Sequence, residues 1–503
     1  MVPLTHSSPG AVRYDPPPFD TVIDTMSVPA SEPATGPVGA LRRRIREVRG
    51  TLPPSIAGLR ESGTAKAAGL AGAMIATNVL GLVSNIVFAR VLNDYGALAA
   101  LISYYLILTV AGQAIQVATA REGVLGHLGV GHGLTATLKR WTRSMVMFTA
   151  VVTVLSILLR DPIAHAVGKG IPSWAAAAGL PAGCIWLELS ILRGALQGVE
   201  DYKGVGFSLM GEQAVRLMSG AVLAVVGLGV TGAYLGTPLS LIAMGVFCAV
   251  RLRRHAEAVS GKTEANSGRG APAHAAALAL WTHVRRAWAP IAGLAVIAVL
   301  QNIDLIAAKH RFTKDIASSY GATAVAAKVV IWIAMGAGFY LVPEVSRRRA
   351  AGQDPRPVLA RVLGIILVCA IPCLLIFGFE SKLLLRLAFG SKLTSASASL
   401  LPLGAAFTVL AATYLAIQYM LALKRFWFLI VVGAVAVAEP VLLLQASRKP
   451  AGFATVVLAV QAVGALLAFA IALRRGTPTA APSPAANSSQ PDDAAVAVAA
   501  ETA

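Results

Sequence analysis

The chain has 503 residues, of which 56% are hydrophobic and only 13% charged, and its mean hydropathy is +0.69. A soluble domain carries about 25% charged residues because its surface must face water, so this composition excludes a string of soluble domains and points to a protein that crosses a membrane many times. The 43 Lys and Arg against 24 Asp and Glu leave a net charge of +19, but the basic residues sit in short runs between apolar segments, which marks topology and not a nucleic-acid-binding face.

Residues 1–66 are rich in Pro, Ser and Thr and carry the cluster Arg42, Arg43, Arg44, Arg46 and Arg49. Such a segment buries too little apolar surface to fold alone, and is expected to be a disordered, basic cytoplasmic tail. The first apolar run begins only near residue 67, so no cleavable signal peptide is expected. Twelve runs then follow that are long enough to cross a hydrocarbon core of about 30 Å. They lie near 67–89, 97–118, 142–160, 172–194, 208–230, 232–250, 287–308, 320–342, 358–378, 400–422, 426–445 and 453–473. Their continuity excludes the alternating pattern of a membrane β-barrel. The polar segment 251–286 reads as a cytoplasmic linker between an N-terminal six-helix lobe, 67–250, and a C-terminal one, 287–473. The Ala/Pro/Ser-rich residues 474–503 read as a second disordered cytoplasmic tail.

Placing the N-terminus inside puts most Lys and Arg on the cytoplasmic side, including Arg251, Arg253, Arg254 and the run Arg347, Arg348, Arg349. The positive-inside rule therefore predicts a multi-pass cell-membrane protein with both termini cytoplasmic. The two halves are similar to each other. Asn85 is followed by Arg90 and Tyr95-Gly96-Ala97, and Asn302 by Lys309 and Tyr320-Gly321-Ala322. Six helices per half imply a parallel repeat about an axis along the membrane normal. The expected fold is thus an all-α polytopic bundle of about twelve helices in two pseudo-symmetric lobes around a central cavity, toward which polar residues of the spans should turn.

Asp304 is the sharpest of these residues, since a carboxylate in the membrane interior costs roughly 2.5 to 3.5 kcal/mol unless it is paired, hydrated or protonated. Lys328 in the returning helix lies at nearly the same depth and is its natural partner, either as a structural clamp or in coupling. Glu212 and Arg216 are spaced i, i+4 and should pair on one helix face. Arg193 has no acidic partner at helical spacing, so it could offer parallel donors to a phosphate or snorkel to the interface. Gln197 extends this patch. Asn85 and Gln113 are suited to hydroxyl-rich headgroups or to interhelical hydrogen bonds. Glu439 precedes Pro440, which frees a backbone carbonyl and can hinge the helix, making Glu439 a candidate for proton coupling. No cofactor motif, catalytic triad, P-loop or metal-ligand spacing occurs, and Cys184, Cys248, Cys369 and Cys373 all fall in apolar stretches. No enzyme activity, cofactor, metal or nucleic-acid partner is expected.

The stretch Phe88-Ala89-Arg90-Val91-Leu92-Asn93-Asp94-Tyr95-Gly96 is similar to the first external turn of the polysaccharide transporters in the multidrug/oligosaccharidyl-lipid/polysaccharide exporter superfamily, with Asn93 where glycine is usual. Leu192-Arg193-Gly194-Ala195-Leu196-Gln197-Gly198 with Tyr202 resembles the segment that follows that family's fourth helix. Asn302-Ile303-Asp304, Tyr320-Gly321-Ala322, Pro343-Glu344-Val345 and Phe389-Gly390 resemble elements of its second half. The resemblance implies a V-shaped, alternating-access flippase for polyprenyl-diphosphate-linked oligosaccharides used in cell-envelope polysaccharide synthesis. It also implies a polar or cationic lumen. Substrate contacts are expected at Arg193, Gln197, Asn85, Gln113 and Lys328, and coupling to H⁺ or Na⁺ at Asp304 and Glu439. Partners would be the lipid-linked oligosaccharide, membrane lipids and envelope glycosyltransferases or a polymerase. The rival readings are a cation-coupled drug or metabolite antiporter of the same superfamily, a lipid II flippase, and a membrane scaffold that transports nothing.

Overall fold

A computed structural model describes residues 63–266, 288–423 and 425–473. The two expected tails, up to residue 62 and from 474, and residues 267–287 of the linker lie outside the described residues. Within them every regular element is helical. The first lobe contains α1 (Gly63–Val91), α2 (Tyr95–Val124), α3 (His132–Leu158), the short α4 (Arg160–Val167) and α5 (Ser173–Ala177), then α6 (Gly179–Gly198), α7 (Tyr202–Leu223) and α8 (Gly229–Asn266). The second contains α9 (Trp288–Arg311), α10 (Lys314–Ala327), α11 (Val329–Ala350), α12 (Arg356–Phe379), the short α13 (Ser381–Phe389), α14 (Leu400–Ala422), α15 (Phe428–Gln445) and α16 (Pro450–Ala472).

Eleven stretches among the described residues are long and apolar enough to cross a membrane, but one of them, Tyr202–Ser260, has 59 residues. That stretch turns back on itself where α7 meets α8, through a π-helical turn over Ala224–Leu228 in which Gly227 has φ 114° and Gly229 φ 50°. Only glycine takes such angles freely, so the reversal is written into the sequence as two glycines, and the stretch makes two crossings. The count of crossings is then twelve, as the apolar runs predict. Two boundaries differ from expectation. α3 begins at His132, ten residues before the predicted start, because Lys139, Arg140 and Arg143 ride on its first turns. α8 runs on through Asn266, so the beginning of the predicted linker continues the helix.

The lobes repeat the same packing. In the first, α1 packs on α7, α2 and α3 on α6, and α7 and α6 on α8; in the second, α9 packs on α15, α11 and α12 on α14, and α15 and α14 on α16. Small residues permit the tightest of these contacts. Gly194 lies where a Cβ would come 2.5 Å from the Gln116 carbonyl oxygen, and Gly123 and Gly198 meet with a Cβ-to-Cα approach of only 2.8 Å, so α2 and α6 touch backbone to backbone. Without a hydrophobic drive between helices in lipid, close van der Waals approach of this kind is what holds them.

Between the lobes, α2 packs on α9 and α10, and the repeated Tyr-Gly-Ala step lies at their junction. A Cβ on Gly96 would come 2.9 Å from the backbone of Ala317 and Ser318, while one on Gly321 would come 3.1 Å from Ala99. The Gly96 N–H donates to Ser318 Oγ at 3.0 Å. Polar contacts between the lobes gather at this end of the bundle, the hairpin end, where α1 turns into α2 and α9 into α10. Lys309 Nζ lies 2.8 Å from both oxygens of Asp94, which also caps α2 by accepting from the Ala97 N–H. Arg90 of the first lobe donates to the carbonyls of Leu387 and Ala388 in the last turn of α13, and His310 of the second lobe bonds the Ala166 carbonyl in the last turn of α4. Each lobe thus sends a basic side chain into the negative end of the other lobe's short helix.

Gly96→Ala should force the lobes apart by a few tenths of an ångström and destabilise the protein by about 1–3 kcal/mol. Gly245→Ala, where a Cβ meets nothing within 4 Å, should not destabilise it. Thermal melting of the two purified variants checks this, and equal melting would show that the lobes do not depend on the Gly96 contact.

Candidate functional site

The polar residues singled out in the sequence are gathered inside the lobes, one group in each. The expectation that they turn toward a shared central space is not met for Arg193, Asp304, Lys328 and Glu439, all of which are buried among helices of their own lobe. The physical reason is desolvation: a charge that helices can surround with hydrogen-bonding partners is shielded from lipid without any opening to water.

In the first lobe Arg193 is wholly buried. Its Nη2 pairs with Glu212 Oε2 at 3.0 Å and donates to the Ser208 carbonyl at 2.8 Å, and its Nε donates to Ser208 Oγ at 2.9 Å. The acidic partner missing at helical spacing is therefore supplied by α7. Glu212 Oε1 accepts from Arg216 Nη2 at 2.5 Å, which is the i, i+4 pair the sequence predicts. One carboxylate thus bridges two guanidiniums, which also lie against the rings of Trp186 and Tyr105 at 5.4 and 5.6 Å. Gln197 is half-buried one turn beyond Arg193, Asn85 is half-buried in α1, and Gln113 is exposed on α2. The Asn85 amide nitrogen donates to the Gly81 carbonyl, and its oxygen accepts from Tyr95 O–H at 3.0 Å.

At the linker end, where α6 gives way to α7, Asp201 caps α7 by accepting from the Gly204 N–H at 3.0 Å and is held by Arg251 of α8, whose Nη2 lies 3.0 Å from Oδ1. Burial pushes the Asp201 carboxyl up, but the bonded guanidinium and the Gly204 N–H outweigh it and leave the group below the usual aspartate value.

The second lobe holds the other group. Asp304 and Asn302 come from α9, Tyr320 from α10, Glu439 from α15 and Gln461 from α16; all are buried. In the eighth crossing Lys328 lies at the junction of α10 and α11, where the backbone stays in the α region (φ −67°, ψ −10°) and keeps its bond to the Ala324 carbonyl at 3.0 Å. Lys328 does not form the direct ion pair with Asp304 that the depth argument suggests: its Nζ donates to Asn302 Oδ1 at 3.1 Å and stands 5.5 Å from the Phe407 ring. The carboxylate and the ammonium still feel each other's charge. Asn302 mirrors Asn85, donating its amide to the carbonyl four residues back, at Ala298, and presenting its oxygen to a donor from the next helix. Asp304 Oδ2 accepts from Tyr320 O–H at 3.4 Å, while Oδ1 is buried with no partner among the described residues. Above it Phe312, Tyr320 and Phe453 stack with centroids 5.1 to 5.7 Å apart. Glu439 shares one described donor, the Gln461 amide, through both oxygens at 3.1 and 3.2 Å, and lies within electrostatic reach of Asp304.

The two carboxylates and one ammonium leave this cluster with an excess negative charge when all are ionised. Sealed from water, it has the composition of a site that takes up a proton or a small cation. Gln461 was not singled out in the sequence, although an isolated amide in the apolar run of α16 is a signal of the same kind as Asp304.

No protein-family model matches the chain, and a comparison with curated proteins finds no match. Solved structures do match in fold. The chain is similar to an inward-facing multidrug-resistance MATE transporter of the MOP superfamily, with a TM-score of 0.60 and 12% identity over 79% of this chain and 93% of that one. It is similar to the lipid II flippase MurJ in an inward closed conformation, with a TM-score of 0.59 and 14% identity over 80% of this chain and 87% of that one. A eukaryotic MATE transporter matches with a TM-score of 0.50 and 14% identity over 82% of this chain and 96% of that one. The architecture is therefore the fold seen in these solved structures.

Replacing the bridging carboxylate, Glu212→Gln, should leave two buried guanidiniums without a counter-charge and cost about 3–5 kcal/mol. Glu344→Gln, whose partners Arg347 and Arg348 lie at the surface of α11, should leave the melting temperature unchanged. Equal melting of the two variants would show that the bridge does not stabilise the first lobe.

Proposed function

We propose that the chain is an ion-coupled, alternating-access flippase that moves the polar head of a lipid-linked oligosaccharide outward while the prenyl chain stays in lipid. The observation that carries the reading is the sealed cluster of Asp304, Glu439 and Lys328, set within a fold shared with MATE and MurJ transporters. Binding of H⁺ or Na⁺ between Asp304 Oδ1 and Glu439 would remove the excess charge and change how α9, α15 and α16 pack, and α9 also contacts the first lobe through α2. The coupling ion therefore acts on the helix that joins the lobes.

The proposed cargo is a polyprenyl-diphosphate-linked glycan of cell-envelope synthesis. Gln113, Gln197 and Asn85 would contact its hydroxyl-rich head. Arg193 and Lys328, buried in this conformation, would act through charge and become accessible as the lobes rock. With the N-terminus inside, as the positive-inside rule predicts, an anionic diphosphate moving outward gains about 2.3 kcal/mol per charge per 100 mV from an inside-negative potential. The buried carboxylates of the second lobe favour one further reading, cation-coupled antiport of a drug or metabolite.

Reconstitution into vesicles with a fluorescent polyprenyl-diphosphate oligosaccharide and, separately, a lipophilic cation separates the two. Headgroup translocation is expected, accelerated by an H⁺ or Na⁺ gradient in the wild type and insensitive to either gradient in Asp304→Asn at unchanged folded yield. Transport of the cation alone would replace the flippase reading with antiport. Gradient dependence surviving in Asp304→Asn would remove Asp304 from the coupling site.

A further inference from the structure

Most of the buried polar side-chain atoms that lack a partner among the described residues belong to the first lobe: Tyr105 Oη, Ser190 Oγ, Arg193 Nη1, Arg216 Nε and Tyr234 Oη. All five can donate a hydrogen bond, and the two guanidinium nitrogens can do nothing else. The second lobe has one of each, a donor at Arg311 Nε and an acceptor at Asp304 Oδ1. Arg193 and Arg216 share the single carboxylate of Glu212, so the network carries one uncompensated positive charge inside a helix bundle.

Among the described residues no second carboxylate pairs with either guanidinium, and Asp201 is committed to Arg251. Three of these donors lie near one another: the Arg216 guanidinium stands 5.6 Å from the Tyr105 ring and within hydrogen-bonding reach of its oxygen, which leaves the Tyr105 O–H to donate elsewhere, and Tyr234 of α8 lies within electrostatic reach of both. Tyr105 and Tyr234 are 2% and 0% exposed. Helices α7 and α8 pass closely here: a Cβ on Gly236 would come 2.7 Å from the Arg216 carbonyl and 2.8 Å from Gly220. That packing excludes a bulky oxyanion such as a glycosyl diphosphate, and a monatomic anion would supply both the charge and the acceptor that the network lacks.

We propose that the first lobe holds a small halide, chloride under ordinary conditions, between the Arg216 Nε–H and the hydroxyls of Tyr105 and Tyr234. The anion neutralises the excess charge of the Arg193–Glu212–Arg216 network and gives its donors an acceptor. Together with the cation uptake proposed for the second lobe, it makes the two lobes complementary, one holding an anion and the other taking up a cation.

The test is thermal melting of the full-length protein in detergent at constant pH and ionic strength, with chloride, bromide, phosphate or gluconate as the anion. Chloride and bromide should raise the melting temperature saturably over gluconate. In Tyr105→Phe/Tyr234→Phe the apparent affinity for chloride should fall by about tenfold or more, as expected when hydrogen bonds to a charged group are lost. Arg347→Gln, a surface change, should respond as the wild type does. The proposal is overturned by equal melting in chloride and gluconate, which would leave water as the occupant, by stabilisation with phosphate alone, or by an undiminished chloride response in the double variant. Should that variant not fold, a bromide-soaked crystal of the wild type decides the matter: anomalous density at Arg216 supports the site, and bromide bound only at the surface overturns it.

Discussion

A charge that cannot reach water must find its partners within the protein, and that constraint organises this molecule. Arg193, Glu212 and Arg216 in one lobe and Asp304, Glu439 and Lys328 in the other are not spread along a polar channel wall. Each group is enclosed by the helices of a single lobe, so every lobe contains its own electrostatic problem and its own partial solution. A helix that left its lobe would expose an unpaired ion to hydrocarbon, at a cost of several kcal/mol. The lobes are consequently expected to move as units, with change concentrated at the surfaces between them.

Those surfaces are built differently from the lobe interiors. At the hairpin end the lobes meet through Gly96 and Gly321, through the Asp94–Lys309 pair and through basic side chains that reach the carboxyl ends of the short helices α4 and α13. Backbone-to-backbone contact at glycine is intimate but has little side-chain interdigitation to unlock. Such a seam can open and reclose without repacking either core. The pseudo-symmetry of the contacts, Arg90 into α13 and His310 into α4, means that one rocking motion would release both.

Much of this was legible in the sequence. The twelve crossings follow from hydropathy, and the pair of Gly227 and Gly229 explains why two of them merge into one apolar stretch. Glu212 and Arg216 were readable because an i, i+4 spacing fixes their geometry locally. The Arg193–Glu212 bridge was not, because it joins residues 19 apart on two helices, and only packing sets which faces of α6 and α7 meet. For Asp304 and Lys328 the depth argument brought the residues to the same region but could not show that Asn302 would intercept the ammonium. The Tyr-Gly-Ala repeat was visible as a repeat, yet its role as the meeting point of the lobes depends on backbone approach, which carries no signature beyond the glycine itself.

The central claim is that the lobes move against one another as units and part at the hairpin end. Its most direct measurement places cysteines at Asp94 and Lys309 and joins them with a short reducible thiol cross-linker in protein reconstituted with a fluorescent lipid-linked oligosaccharide. The account predicts that linking stops headgroup translocation and that reduction restores it. Translocation proceeding at an unchanged rate with the lobes linked would contradict it.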